Sequence, residues 1–187
     1  MTTYYDAWQQ VTTKNGFTAD EIISGLQKSI RRSDQENALA MAYEMYITSE
    51  QLEDYMWKRL LVISVEDIGF ADTNATLIIR NLEQTRKDFQ YGSFDRGLFM
   101  IQAVRYLCKC NKDRSSDLML NILREEFAKG RAPVIEDHML DMHTRQGRIN
   151  GKDLNHFLHV ASHVEPLAKD TQHQEFFTRL QAILNNQ

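Results

Sequence analysis

Turn-forming residues are scarce in this sequence, which has two prolines and eight glycines in 187 residues. Sandwiches and barrels need such residues after almost every strand, so their scarcity argues against a many-stranded β protein. The chain is 42% apolar and 26% charged, a globular composition, and is long enough to bury a sizeable core. We therefore expect an all-α fold built from antiparallel helix hairpins.

The sequence also lacks long apolar runs, and no stretch approaches the eighteen or so apolar residues that a membrane-spanning helix needs. Its first residues, MTTYYDAW, have neither the basic start nor the apolar core of a signal peptide. The two cysteines, Cys108 and Cys110, are too close together for a zinc knuckle. On a helix their side chains point about 200° apart, so we expect free thiols. These absences predict a soluble, cytoplasmic protein that does not enter a membrane.

Several enzyme signatures are absent as well. The sequence has no GxxxxGK[ST] or GxGxxG loop for nucleotide phosphates, and neither a GxSxG nor an HExxH motif. We therefore expect no cofactor and a protein that is not an enzyme. The net charge of −4 excludes a general polycation, so any surface for nucleic acid has to be a local patch.

Helix start signals and apolar spacing predict six helices before residue 132. Capping boxes at Thr18–Glu21 and Ser33–Glu36 start the first two, and Thr48 or Ser49 starts a third that runs to about Ser64. Gly69 suits a left-handed helix stop. A fourth helix is predicted at about 73–88. A fifth helix carries the apolar residues Leu98, Ile101, Val104, Tyr106 and Leu107, and a sixth carries Leu118, Leu120, Ile122, Leu123 and Phe127.

Gly130 and Pro133 mark the first strong boundary. We expect residues 1–132 to form a helical domain whose N-terminal arm packs through its aromatic rings, which are Tyr4, Tyr5, Trp8 and Phe17. Residues 133–187 are expected to form a helical extension packed on that domain as one structural unit. Its helices are predicted near 134–143, 151–164 and 171–185.

Basic residues cluster at the ends of the predicted hairpins. Six of them are candidates for contact with DNA phosphates or another anion: Lys28, Arg31, Arg32, Arg59, Lys112 and Arg114. The alternative is that these cations are solvated helix ends, where positive charge also complements the helix dipole. The adjacent acids Glu66 and Asp67 do not converge on one point of a helix, so we expect them to cap a helix or to pair with Arg59 or a neighbouring hairpin.

All six histidines lie in the last 50 residues of the chain. His156, His159 and His163 would share one face if residues 151–164 are helical, and could then bind a transition metal. The alternatives are that this face packs on the core or on a partner subunit, or makes a contact sensitive to protonation. No other feature suggests a metal, and none is expected.

Three blocks of the sequence resemble the C-terminal region of the RarA/MgsA-type AAA+ recombination ATPases, which include a Werner-helicase-interacting relative. They are GLQKSIRRSD at residues 25–34, KRLLVISVEDIGFAD at 58–72 and, less closely, QAVRYL at 102–107. The block at 58–72 is specific enough that chance is a poor explanation. The resemblance leaves out the AAA+ core, so ATP hydrolysis is not implied. Beyond Pro133 the sequence leaves the ATPase pattern, and the run at 140–148 looks like a stand-alone subgroup of collar-like proteins.

The resemblance implies a clamp-loader-type helical collar that forms homo-oligomers, dimers or tetramers, and works with DNA or with replication and repair proteins. Within the run at 140–148, the residues singled out are Asp141, His143, Arg145 and Arg148. Two other interpretations stay open. One is a regulator that binds a metal or small ligand through the histidine-rich segment. The other is an enzyme for a phosphorylated substrate, with His143, Asp141 and Arg145 forming its site.

Overall fold

The structure, a computed structural model, describes residues 6–169 and 171–184. These residues form helices without a β-strand, and an isolated bridge joins Thr12 to Thr18. The predicted all-α fold is confirmed. None of the helices described is both long and apolar enough to cross a membrane. The chain divides into two compact units, Met1–Arg131 and Ala132–Gln187.

Six α-helices build the first unit, and short turns of other helix types connect some of them. The α-helices are α1 (Ala19–Arg31), α2 (Gln35–Thr48), α3 (Glu50–Ile63), α4 (Ala75–Thr85), α5 (Phe94–Lys109) and α6 (Ser115–Ala128). A 3-10 turn at Ala7–Gln10 precedes α1, and another at Arg86–Asp88 follows α4. Between α3 and α4 lie a π-helical turn, Ser64–Ile68, and a 3-10 turn, Gly69–Ala71.

Local side-chain bonds define some helix starts as predicted and correct others. Ser49 starts α3, because its hydroxyl accepts from the amide of Leu52 at 3.1 Å. Asp34, one residue later than predicted, caps α2, while Ser33 lies in the turn before it with a positive φ of 58°. Thr18 makes no side-chain capping bond, and its backbone is instead held in the bridge to Thr12. The predicted capping boxes at Thr18 and Ser33 are therefore wrong.

The core of the first unit comes from α1 to α5. Its fully buried apolar side chains include Leu26, Ile30, Met45, Leu52, Met56, Trp57, Leu60, Ile63, Ile79 and Met100. Burying one such side chain contributes about 1.5–3 kcal/mol. The described part of the N-terminal arm packs on this unit through Trp8, whose ring lies 4.8 Å from that of Tyr55. Tyr4 and Tyr5 lie outside the described residues.

The second unit has short helices and almost no buried interior. It contains a 3-10 turn at Asp137–Met139, then α7 (Arg145–Ile149), α8 (Leu154–His156), which continues as a π-helical turn (Phe157–Ala161), and α9 (His173–Leu184). The helix predicted near 134–143 is wrong, because Thr144 starts α7 later by accepting from the amide of Gly147 at 2.9 Å. Among the described residues of this unit, Gly147 alone is buried.

Candidate functional site

The acids at 66 and 67 hold α1, α3 and α6 to the turn after α3. Asp67 is fully buried, and its Oδ1 accepts from Nε of Arg31 at 2.6 Å and lies 3.3 Å from Nε of Arg114. Glu66 lies 3.2 Å from Arg31 and 3.9 Å from Arg59. The hydrogen bond that Arg31 donates to Asp67 raises the pKa of Arg31. The pairing of these acids with Arg59 and a neighbouring hairpin is as expected.

Four of the six candidate DNA-contact residues therefore act within the fold. Arg31, Arg59 and Arg114 face carboxylates, as described above. Nζ of Lys112 donates to the carbonyl oxygens of Leu107 at 3.1 Å and Cys108 at 3.4 Å. These carbonyls belong to the last turn of α5, where a cation is favourable. The sequence pattern of basic hairpin ends thus reflects mainly internal pairing.

Lys28 and Arg32 are the candidates that keep an exposed charge. Nζ of Lys28 donates to the hydroxyl of Ser24, and Arg32 donates to the carbonyl of Lys28 at 3.3 Å. Both bonds stay within the α1 region and involve no carboxylate. Contact with DNA stays a prediction that rests on these two side chains.

The hydroxyl of Tyr106 joins α5 to the turn before α4. It donates to Oδ2 of Asp72 at 2.6 Å. This bond lowers the pKa of Asp72, while burial and the same bond raise the pKa of Tyr106. The carboxylate and phenol therefore stabilise each other in their ordinary charge states at neutral pH.

The variant Tyr106→Phe is expected to raise the pKa of Asp72 towards its ordinary value, because the carboxylate loses its strongest donor. With a lowered folded pKa, Asp72 contributes stability above about pH 4, and this is lost as pH falls through the folded pKa. In the variant the folded and unfolded pKa values of Asp72 are closer together, so Asp72 contributes less stability above about pH 4 and less of it is lost in acid. Carboxylate NMR titration measures the change. The matched variant Tyr43→Phe, in which the ring is 52% exposed, should leave the pKa of Asp72 unchanged. If the pKa of Asp72 is also unchanged in Tyr106→Phe, the Tyr106 hydroxyl is not what lowers it.

The two cysteines are free thiols, as predicted. Cys108 is buried, and burial raises its pKa to about 11. Burial also raises the pKa of Cys110. Both stay protonated at neutral pH, and a protonated thiol is a poor nucleophile. The chemistry of a cysteine hydrolase therefore has no support here.

The C-terminal run at 140–148 is a turn held by its own side chains. Oδ2 of Asp141 lies 2.7 Å from Nδ1 of His143, and Oδ1 accepts from the His143 amide. This contact lowers the pKa of Asp141. Arg148 donates to the carbonyls of Met142 and His143, each at 3.1 Å. At Gly147 an added Cβ would lie 2.0 Å from the carbonyl oxygen of Asp141. This motif-like sequence thus has a structural explanation.

The interpretation as an enzyme needs Arg145 beside Asp141 and His143. Arg145 is exposed and makes no side-chain hydrogen bond or ion pair with any residue that the structure describes. Only the Asp141–His143 pair is formed, and His143 is itself exposed. The three side chains are not assembled into a site.

The three spaced histidines do not share a helix face. The π-helical turn ends at Ala161, so His163 lies beyond it. His156 contacts Lys152 at 3.1 Å, and His163 contacts Glu165 at 2.9 Å, while His159 contacts the carbonyl of Asn155. Within residues 6–169 and 171–184, no group of three or more His, Cys, Asp or Glu side chains is placed to hold a metal ion.

The most unusual surface belongs to α6. All of its residues are described, and none is buried. Its exposed apolar side chains, 49–59% accessible, are Leu118, Met119, Leu120, Ile122 and Phe127. At about 100° per residue they span an arc of roughly 200°. A helix that is apolar over so wide an arc is normally buried. The main packing neighbours of α6 are only the π-helical and 3-10 turns at 64–71.

Sequence patterning identified α6 as a helix but missed its exposure. The apolar spacing looks like that of a core helix, because periodicity does not distinguish burial in the same chain from burial in another. The signal that was available is the consecutive run Leu118-Met119-Leu120, which places apolar groups around more than one face.

The described residues thus define an all-helical protein, and its family comes from comparison with known proteins. The family model described as "MgsA AAA+ ATPase C terminal" matches residues 32–181. The chain belongs to that family, which confirms the resemblance seen in the sequence.

A curated relative is Replication-associated recombination protein A of Bacillus subtilis (strain 168). It is 29% identical over 143 residues, which cover 76% of this chain and 33% of the relative. The chain thus spans about a third of the length of that protein.

Proposed function

We propose that this chain is a non-catalytic assembly module that associates with copies of itself through α6. The observation that carries this proposal is the apolar arc of α6, whose side chains stay about half exposed on the helices and turns of the first unit. A match to the C-terminal region of an ATPase family, rather than to a nucleotide-binding core, supports a non-catalytic role. Closed dimers or tetramers are the usual outcome for such modules.

The physical basis is that α6 has little to stabilise it alone. An isolated helix of its length, 14 residues, is marginal in water even with favourable residues. Most helical stability in proteins comes from packing an apolar face, and in the first unit α6 packs mainly on the short turns at 64–71. Its exposed leucines, isoleucine and phenylalanine are already about half buried, so covering the rest between copies would contribute about 1 kcal/mol for each side chain.

The name of the relative suggests the process in which the module works. That protein is named for replication-associated recombination. We propose that this chain gathers partner proteins of the same process, and that any DNA contact uses Lys28 and Arg32.

The double variant Leu118→Asp/Leu120→Asp is expected to dissociate the assembly into monomers of 21.9 kDa. Two leucines that the assembly would bury are replaced by carboxylates, which resist transfer out of water. Both leucines are more than half exposed in the single chain, so its helix content and unfolding temperature should change little. Light scattering measures the mass, and circular dichroism measures the fold.

The matched control is Arg124→Glu, which adds a carboxylate on the polar side of the same helix at an exposed side chain that makes no hydrogen bond or ion pair with a described residue. It should leave the oligomer intact. The proposal is overturned if the wild-type chain is still monomeric at about 100 µM, because a dissociation constant above that concentration is too weak for a stable assembly.

A further inference from the structure

The outward face of α5 is apolar in its first half and basic in its second half. Phe94 and Leu98 are 81% and 49% exposed, and Ile101 is half-buried. Arg105 and Lys109 follow on the same face, and both are exposed. Steps of three and four residues place all five side chains in one stripe along the helix.

Two neighbouring hollows lie along this stripe, and we call them together the α4–α5 groove. The mainly apolar hollow, about 470 Å³, lies between α4 and α5, and its lining includes Leu82, Phe89 and Phe99 together with the charged side chains of Asp95 and Arg105. The polar hollow, about 460 Å³, lies between the start of α2 and the end of α5. Gln102 and Arg105 line both hollows. The groove therefore has an apolar end and a basic end.

Among the residues that the structure describes, the basic end has no acidic partner. Arg105 and Lys109 make no side-chain hydrogen bond or ion pair with a residue of the described ranges. Like charges four residues apart on a helix repel each other by a few tenths of a kcal/mol. An external carboxylate would relieve that repulsion.

One face of α6 carries the complementary pattern. Leu118 and Ile122 are followed by Glu125, which is exposed and makes no side-chain bond within the described chain. Glu125 lies seven residues after Leu118, as Arg105 lies seven residues after Leu98, and each step spans about 10 Å of helix. Two such helices laid parallel bring leucine to leucine and glutamate to arginine.

The groove is not filled by the α6 helix of the same chain. None of the residues that line the two hollows belongs to α6. The start of α6 is fixed elsewhere, because Arg114 faces Glu66 and Asp67, and the amide of Asp113 donates to the carbonyl of Asp67 at 2.9 Å. An α6 helix that lies in this groove therefore belongs to another copy of the chain.

We propose that α6 of one copy lies parallel to α5 in the α4–α5 groove of the next copy, with Leu118 and Ile122 in the apolar end and Glu125 on Arg105. This inference rests on the proposed self-association and adds its geometry. The two surfaces differ, so the contact is heterologous, and repeated copies close into a ring when the rotation allows.

A charge exchange tests this contact. Arg105→Glu and Glu125→Arg should each weaken self-association about tenfold or more, because like charges then meet in the groove. A chain that carries both changes restores an opposite pair at every contact, and its affinity should return to within about threefold of wild type. Leu98→Asp should weaken association without such rescue. Sedimentation or light scattering over a concentration series measures the dissociation constants.

Arg124→Glu is the matched control, since it reverses an exposed charge on the polar side of α6 and should leave the dissociation constant unchanged. If the wild type associates and the α5 variants associate equally well, the groove proposal is overturned while the proposed function stands. In that case the groove is open to a different acidic partner. Single variants that weaken association without rescue in the double variant also overturn the pairing. A wild-type monomer overturns both proposals.

Discussion

Replacing Glu53 with alanine is expected to lower the free energy of unfolding by about 3–5 kcal/mol, because two buried guanidinium groups lose the carboxylate they share. Glu53 in α3 is fully buried, and its Oε2 accepts from Arg96 at 2.8 Å. Its Oε1 lies 3.0 Å from Arg86. Arg86 and Arg96 are only 1% and 5% exposed, so neither can turn to water without opening the core. Urea unfolding followed by circular dichroism measures the loss.

The matched control is Glu50→Ala. Glu50 also contacts Arg96, at 3.0 Å, but its side chain is 54% exposed. An exposed ion pair contributes about 0–1 kcal/mol, so this variant should unfold almost as wild type does. Equal losses for Glu50→Ala and Glu53→Ala would show that burial of the shared carboxylate adds nothing.

Gly69→Ala is expected to cost about 2–5 kcal/mol, as the sum of backbone strain and overlap. Gly69 follows the π-helical turn with φ of 52°, a region that L side chains rarely adopt. A Cβ there would lie 2.5 Å from the carbonyl oxygen of Asp113, which is backbone and cannot rotate away. Asp113 is close to the start of α6, so the displacement should also weaken self-association. Urea unfolding and light scattering measure the two effects.

Gly92→Ala separates the two parts of that cost. Gly92 also has a positive φ, 80°, but an added Cβ there meets nothing within 4 Å. Its substitution should cost only the strain, about 1–2 kcal/mol. A Gly69→Ala loss no larger than the Gly92→Ala loss would mean that the loop at Asp113 yields easily.

Local signals in the sequence were sufficient for most of the first unit. Ser49 and the apolar spacing of α3 predict its start and buried face, because capping and periodicity act within one or two turns. Asp34 took the place of Ser33 at α2, since the two are neighbours and either side chain is suited to capping. Such one-residue differences arise from tertiary contacts that no short window contains.

Contacts between distant parts of the chain were beyond sequence reasoning. Arg96 and Glu53 are 43 residues apart, and no pattern in either segment predicts that the two side chains meet. Arg31 and Arg114 look like any basic helix end until Asp67 is placed between them. In the second unit, the predicted helix near 134–143 failed because apolar residues there do not face a core, and the Thr144 cap decides where α7 begins.

The raised pKa values of the two thiols have a practical consequence. At neutral pH the thiolate that alkylating reagents attack is scarce at Cys108 and Cys110. A cysteine placed on the solvent side of α6, as in Asn121→Cys, would react selectively with a maleimide while the native pair stays intact. A fluorescent or spin probe attached there would report the spacing of neighbouring copies in solution.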